Sequence, residues 1–272
     1  MRVTGISTPR PGKPNEDLLI STGDLVVVLD GCGIADSLAA TLDRGCRHGV
    51  PWYVRSLGDE LVRRAADPAV PLTDALAGAI DTVTASHRDT CDLTNVDTPA
   101  STVCLLRQRG DLLDHLVLSD SSIVFDRRPE GGLDVVSDVR IDRALPSPDP
   151  LPLGSPERIE RDRRSSAARA ARVNRPDGFW VASTDPDAAS HALTGASPVA
   201  GLAAVLVATD GGVRLHEFGE LDWPALVDLV TVEGPEALVT RTREAETADA
   251  TAVRWPRAKQ YDDATLAYCT FP

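Results

Sequence analysis

A chain of 272 residues with 42% hydrophobic residues can bury a sizeable core, which excludes global disorder. Its formal net charge of −13 excludes a nucleic-acid-binding surface over the whole protein, and 4% aromatic residues exclude a stacking platform for single strands. Five scattered cysteines fit reduced thiols better than a disulfide framework, and no apolar run reaches membrane-spanning length.

Met1-Arg2-Val3-Thr4-Gly5 lacks an apolar leader, so a cytoplasmic protein is expected. Pro9, Pro11 and Pro14 hold the next segment in turn or extended conformations. Asn15-Glu16-Asp17 then leads into a predicted strand at Leu18–Ile20. After a turn at Ser21–Asp24 comes Leu25-Val26-Val27-Val28-Leu29, a continuous apolar run closed by Asp30-Gly31-Cys32-Gly33. That pattern reads as a buried strand ending in a carboxylate, with glycines that let the backbone turn and approach a bound group. The two strands form a hairpin that brings Asp17 near Asp30.

Residues 34–90 read as helical. Val50, Tyr53, Val54, Leu57, Leu61 and Val62 fall at helical spacing, and a second helix is predicted over Leu72–His87 with Thr73 and Asp74 as caps. Residues 101–139 read as β. Strands are expected at Thr102–Arg107 and Leu133–Val136, and His115–Phe125 is one long strand or two with a break at Asp120.

Residues 144–178 change character. A proline-rich run precedes Pro156–Arg175, where seven Arg face three acids. This segment is either a solvated helix face or a mobile basic arm over an active site, with Arg163 and Arg164 as the residues to test. A strand pattern resumes at Trp180–Thr184, and Asp185 caps a short helix at Pro186–Leu193. The apolar run from Gly201 to Ala208 ends in Thr209-Asp210-Gly211-Gly212. Helices are predicted at Trp223–Val232 and Pro235–Ala245. The chain closes with a strand over Tyr261–Phe271 that carries Asp262 and Asp263. Without repeats or a linker, the reading is a single domain over residues 1–272 with a flap-like insertion at about 144–178.

Two buried strands that each end in Asp-Gly suggest two carboxylates delivered to one place, the oxygen chemistry that hard divalent cations prefer. Singly, Asp17, Asp30, Asp210 and Asp262 are ordinary turn acids. Their order is more specific. Asn-Glu-Asp, Asp-Gly-x-Gly after an apolar strand, a Ser-Asp-Ser strand break, Thr-Asp-Gly after another apolar strand and a C-terminal Asp-Asp-Ala-Thr strand together resemble the metal-dependent type 2C protein phosphatases. The resemblance covers nearly the whole chain.

The resemblance implies an α+β fold, a four-layer α-β-β-α sandwich of two antiparallel sheets flanked by helices. It implies hydrolysis of phosphoserine or phosphothreonine with two Mg²⁺ or Mn²⁺ ions and a weaker third. Asp30 would bridge both ions, Asp210 and Asp262 would complete the first, and Asp17 with the Gly31 carbonyl would hold the second. Asp120, in the place of the family's Gly-Asp-Ser-Arg motif, would join Asp210 at the third. By the same resemblance Asp262 faces the site. Asp263 lies on the opposite strand face, so Asn there is expected to be mild by comparison with Asn at Asp210 or Asp262.

Departures from the family pattern open the substrate class. Gly12 stands where an Arg often grips the phosphate, leaving Arg10 and Lys13 as nearby candidates, and a lysine offers a point charge in place of a bidentate fork. Ser119-Asp120-Ser121-Ser122 lacks both the Gly and the Arg of its motif, and Cys32 replaces a histidine found in some relatives. The substrate is therefore a phosphoprotein or a small phosphorylated metabolite. A non-catalytic binding module is a third reading, which the complete acid set opposes.

Cys46-Arg47-His48, with Cys32, lacks zinc spacing. His48 is a candidate acid near the metals, against the plainer reading of a helix-start histidine. Trp52 and Tyr53 read as core anchors, and Lys259 as a solvated side chain close to the site. No Gly-Lys-Ser/Thr phosphate loop is present, which argues against an ATPase.

Overall fold

The computed structural model describes residues 1–33, 38, 45–128, 131–145 and 149–272. The elements in chain order begin with β1 (Arg2–Thr8), β2 (Leu18–Ser21), β3 (Leu25–Leu29), β4 (Gly31–Cys32), α1 (Val50–Ala65), α2 (Leu72–His87) and β5 (Ala100–Ser101). They continue with β6 (Val103–Arg109), β7 (Leu112–Leu118), β8 (Ser122–Asp126), β9 (Leu133–Ser137), α3 (Arg140–Ala144) and α4 (Pro156–Arg172). After a 3₁₀ turn at Pro186–His191 come β10 (Leu193–Pro198), β11 (Ala204–Ala208), α5 (Arg214–Glu217), α6 (Trp223–Glu233), α7 (Pro235–Ala248) and β12 (Ala264–Thr270).

Ten of the strands form two antiparallel sheets, ordered β1-β12-β11-β8-β9 and β10-β7-β6-β3-β2. The pleat of β3 shows how the layers form. Leu25, Val27 and Leu29 pack against α1 and α2 on one face, while Val26 and Val28 meet Val205 and Val207 of the other sheet. On the far side, Leu206, Ala208 and Leu266 pack under α6 and α7. Because both faces of the central strands are covered, they read as unbroken apolar runs. The result is the four-layer α-β-β-α sandwich. Among the described residues no helix is long and apolar enough to cross a membrane.

Helix α1 buries the stripe Val50, Tyr53, Val54, Leu57 and Leu61, which the periodicity marks. Gly58 lets it lie close on β2, since a Cβ there would fall 2.4 Å from a Leu18 methyl. Its Tyr53 hydroxyl donates to the Ser183 carbonyl at 2.8 Å.

Several expectations need correction. The cap position of α2 is Pro71, and neither Thr73 nor Asp74 makes a capping bond. Of the two arrangements expected for 115–125, two strands parted at residues 119–121 are found. Trp180–Thr184 forms no strand. It is buried coil tied to β5 by one bridge between Ala182 and Ser101. The last strand begins at Ala264, after the two acids. Strands β1 and β10 are additions. Leu193-Thr194-Gly195-Ala196-Ser197-Pro198 is a largely exposed edge with no apolar alternation to betray it. The helix expected over 34–44 lies almost wholly outside the described residues, and the proline-rich run and the Glu130 turn do so in part.

The Arg-rich segment is helical over Pro156–Arg172, capped by the Ser155 side chain, which accepts the Arg158 N–H. It is docked against the body of the protein. Arg158 is fully buried, pairs with Asp162 at 2.7 Å and donates to the carbonyls of Leu151 and Arg257.

Candidate active site

Four of the acids stand where strands run out at one end of the sandwich. Asp30 follows β3. Its carbonyl accepts the N–H of Thr102 at 2.9 Å and the Ser101 hydroxyl at 3.1 Å. At Gly31 a Cβ would fall 2.2 Å from Val50 and 2.4 Å from the Glu16 carbonyl. Only glycine fits there, and its N–H donates to that carbonyl at 3.1 Å. This bond brings the Glu16-Asp17 segment beside Asp30. Asp17 is buried and accepts the Thr209 hydroxyl at 3.0 Å, which ties it to the residue before Asp210. Behind Asp210, side chains at Gly211 and Gly212 would meet the Asp263 and Thr265 carbonyls at 1.9 and 2.4 Å, so both glycines are sterically required. Asp262 arrives on the segment entering β12, and Asp120 on the β7–β8 turn. Asp30, Asp120, Asp210 and Asp262 line one cleft of about 350 Å³ with Cys32 and Arg169, and Asp17 sits behind it.

Crowding of carboxylates sets the electrostatics. Burial and the charges of Asp262 and Asp263 push Asp17 up to about 8. Burial and Asp210 push Asp120 up to about 7, and burial with Asp210 and Asp17 raises Asp30 well above the usual carboxylate range. Asp262 goes the other way. Burial would raise it, but Arg214 and Lys259 hold its carboxyl below the ordinary range. Desolvation pushes the Cys32 thiol up to about 11 against the pull of Arg169, with Asp120 and Asp210 adding to the rise.

Asp17, Asp30, Asp120 and Asp210 therefore form an all-oxygen donor set carrying negative charge that a hard divalent cation would relieve, and in charge and donor type they fit one. Among the described residues, however, no three or more His, Cys, Asp or Glu side chains are already arranged around a common ion position. Asp262 is bonded on both oxygens, by Arg214 at 2.6 Å and by Lys259.

This two-sheet sandwich recurs in solved structures. The serine/threonine phosphatase PstP/Ppp of Mycobacterium tuberculosis superposes with a TM-score of 0.59 at 13% identity, over 99% of this chain and 98% of that one. This chain has the type 2C phosphatase fold. PppA, a key regulatory component of T6SS in Pseudomonas aeruginosa, superposes with a TM-score of 0.58 at 18% identity, over 99% and 97% of the two chains. The catalytic domain of PstP in complex with two manganese ions gives 0.56 at 12% identity, over 99% and 97%. No family profile matches the sequence, and no curated protein does.

Within this phosphatase fold the structure separates the sequence candidates. Lys13 is exposed and outside the cleft, and Arg10 turns to Glu16 at 3.8 Å. Gly12 has φ +74°, a conformation that disfavours the arginine usual in the family. His48 stacks on Trp52 with ring centroids 4.1 Å apart, meets His87 edge-on, and does not line the cleft. Arg163 and Arg164 are exposed, whereas Arg169 of the same helix lines the cleft. Lys259 is an ion-pair partner of Asp262 and not a solvated side chain. Sequence reasoning missed Arg214 entirely. Its signal was the four-residue spacing from Asp210, which places both at one side of the turn into α5. The signal for Arg169 was its spacing of eleven from Arg158, which puts both on the docked face of α4.

Proposed function

We propose that this chain is a divalent-cation-dependent phosphomonoester hydrolase acting on phosphoserine or phosphothreonine in proteins. The observation that carries the reading is the convergence of Asp30, Asp120 and Asp210 on one cleft, with Asp17 behind, in a chain with this fold. Asp17, Asp30, Asp210 and the Gly31 carbonyl would hold Mg²⁺ or Mn²⁺. Such an ion, when bound, makes water more acidic and offsets the charge of a phosphate dianion.

The chain's own residues contribute the rest. The Arg169 guanidinium makes no hydrogen bond or ion pair among the described residues and lines the cleft, so it is free to take two phosphate oxygens. It replaces the cation absent at Gly12. Cys32 stays a neutral thiol near pH 7, a weak donor and not a nucleophile. The ribbon of β4 and β5 holds Asp30 and Gly31 rigidly through the bonds from Ser101 and Thr102.

A second reading, hydrolysis of a small phosphorylated metabolite, is favoured by the volume of the cleft, about 350 Å³, which lies in the range of small-molecule sites. The deciding experiment is hydrolysis of p-nitrophenyl phosphate with Mn²⁺, then with EDTA, beside a phosphothreonine peptide and a panel of sugar and nucleoside monophosphates. Turnover that EDTA abolishes and Mn²⁺ restores, with the peptide preferred, supports the reading. No hydrolysis of any substrate would return the chain to a non-catalytic module.

A further inference from the structure

The Asp210–Asp262 side of the cleft already contains fixed cations. Arg214 is buried and held from two sides. Its Nη1 donates to Glu246 Oε1 of α7 at 3.0 Å and its Nη2 to Asp262 Oδ2 at 2.6 Å, with Asp210 Oδ2 at 3.5 Å. Glu246 has no exposed surface. Its other oxygen takes Arg243 at 2.7 Å, and Oε1 also accepts the N–H of Asp262 at 3.3 Å. Asp262 Oδ1 accepts the Lys259 ammonium and the N–H of Asp263. Both oxygens of Asp262 therefore carry a cation. Moving Arg214 aside would strand Glu246 and Asp262 as buried carboxylates short of a partner, which is strongly unfavourable. Asp17, Asp30 and Asp120 differ, since none of them makes an ion pair among the described residues.

We infer that Arg214 and Lys259 stand in for one of two divalent ions, so that this chain binds a single divalent cation, on the Asp17–Asp30 side. An ion placed between Asp210 and Asp262 would face a guanidinium and an ammonium at close range, and like charges in a partly buried site repel strongly. Arg214 and Lys259 already set two fixed positive charges against the carboxylate of Asp262. The inference rests on the metal-dependent reading above, and it concerns the number of ions and not the reaction.

The test is Mn²⁺ binding to the purified full chain, followed by calorimetry and electron paramagnetic resonance. The expected result is one Mn²⁺ per chain with the six-line spectrum of an isolated ion. Lys259→Met removes the charge but keeps an aliphatic stem at a partly buried position. It should admit a second ion, with affinity at least tenfold above any second binding by the parent and with spectral broadening from coupling between ions about 4 Å apart. Lys259→Arg should stay at one. Denaturant unfolding in EDTA checks that both variants fold. Two coupled ions in the parent chain would overturn this inference and leave the phosphatase reading standing. A single ion in folded Lys259→Met would overturn the role given to Lys259. No Mn²⁺ bound at all would overturn the inference together with the metal-dependent reading.

Discussion

Asp263 accepts the main-chain N–H of Glu16 at 3.0 Å and that of Arg10 at 2.7 Å, joining the two ends of the chain. The carboxylate is 2% exposed and clamps the 10–16 loop against the entry to β12. Asp17 and Asp262 become neighbours through this clamp. These two bonds add a cost in stability that the position of Asp263 on the strand does not show. An asparagine carries one acceptor oxygen, so one of the two N–H groups would face an NH₂ donor. Asp263→Asn should lose about 1–3 kcal/mol, the cost of a buried donor left unpaired. Urea unfolding in EDTA measures it, and an unchanged midpoint would remove the clamp from the account.

Asp210 and Asp262 look equivalent in sequence and are not. Asp210 bonds its own neighbour Gly211 and stands 3.5 Å from Arg214, whereas Asp262 is the main counter-ion of Arg214 and Lys259. Asn at either position should lower kcat by orders of magnitude. Stability should separate them. Asp210→Asn should leave metal-free unfolding within about 1 kcal/mol of the parent, while Asp262→Asn should cost about 3 kcal/mol because a buried cation loses its partner. Equal unfolding midpoints would contradict the charge assignment.

Asp114 on β7 accepts Arg109 at 2.5 Å and Arg107 at 3.1 Å. The Arg109 bond holds its carboxyl below the usual carboxylate range, with Arg107 adding to the pull against burial. A depressed folded pKa contributes stability above the unfolded value, near 4, and loses it as pH falls through the folded value. Asp114→Asn should therefore destabilise the protein by about 2 kcal/mol at pH 7, as expected for charge-assisted bonds. The gap to the parent should narrow as pH drops below 4. Unfolding at pH 7 and pH 3 tests the sign, and a gap that widens in acid would refute it.

Ser119 has φ +72°, the left-handed region, where the related motif carries glycine. A side chain there costs about 1 kcal/mol, and its hydroxyl recovers only a 3.3 Å bond to Asp120. Ser119→Gly should stabilise the chain by up to about 1 kcal/mol in denaturant unfolding. A destabilised variant would show that the hydroxyl contact outweighs the backbone strain.

Periodicity and punctuation made the frame legible. Leu25–Leu29 and Ala204–Ala208 announce central strands because both faces are buried, and α1, α2, α6 and α7 show apolar stripes. The Asp-Gly and Asp-Gly-Gly endings marked the site because close backbone approach demands glycine there. Direction was not legible. Nothing local says that Asp263 turns to a loop 247 residues away in sequence, or that Arg214 is covered by Glu246 from a later helix. His48 has Trp52 four residues on, so its aromatic partner was within helical reach, yet charge and position alone suggested the metals.

Arg169 provides the last test, because it distinguishes a helix docked over the site from a charged helix that merely lies on the surface. It lines the cleft, has no protein partner among the described residues, and lowers the Cys32 thiol pKa through its charge. Arg163, six residues earlier, has a side chain 61% exposed and lies 3.6 Å from Glu160. Arg169→Ala removes no internal bond, so metal-free stability should stay within about 0.5 kcal/mol of the parent, as for surface changes. If the guanidinium grips the phosphate in ground and transition states alike, KM for a phosphopeptide should rise about tenfold while kcat changes little. Arg169→Lys should recover only part of the loss, because an ammonium cannot form the two-pronged contact. Arg163→Ala should leave KM unchanged. If Arg169→Ala matches the parent in KM at low salt, where charge effects are largest, α4 supplies no substrate contact through this residue and the phosphate must be held by other groups.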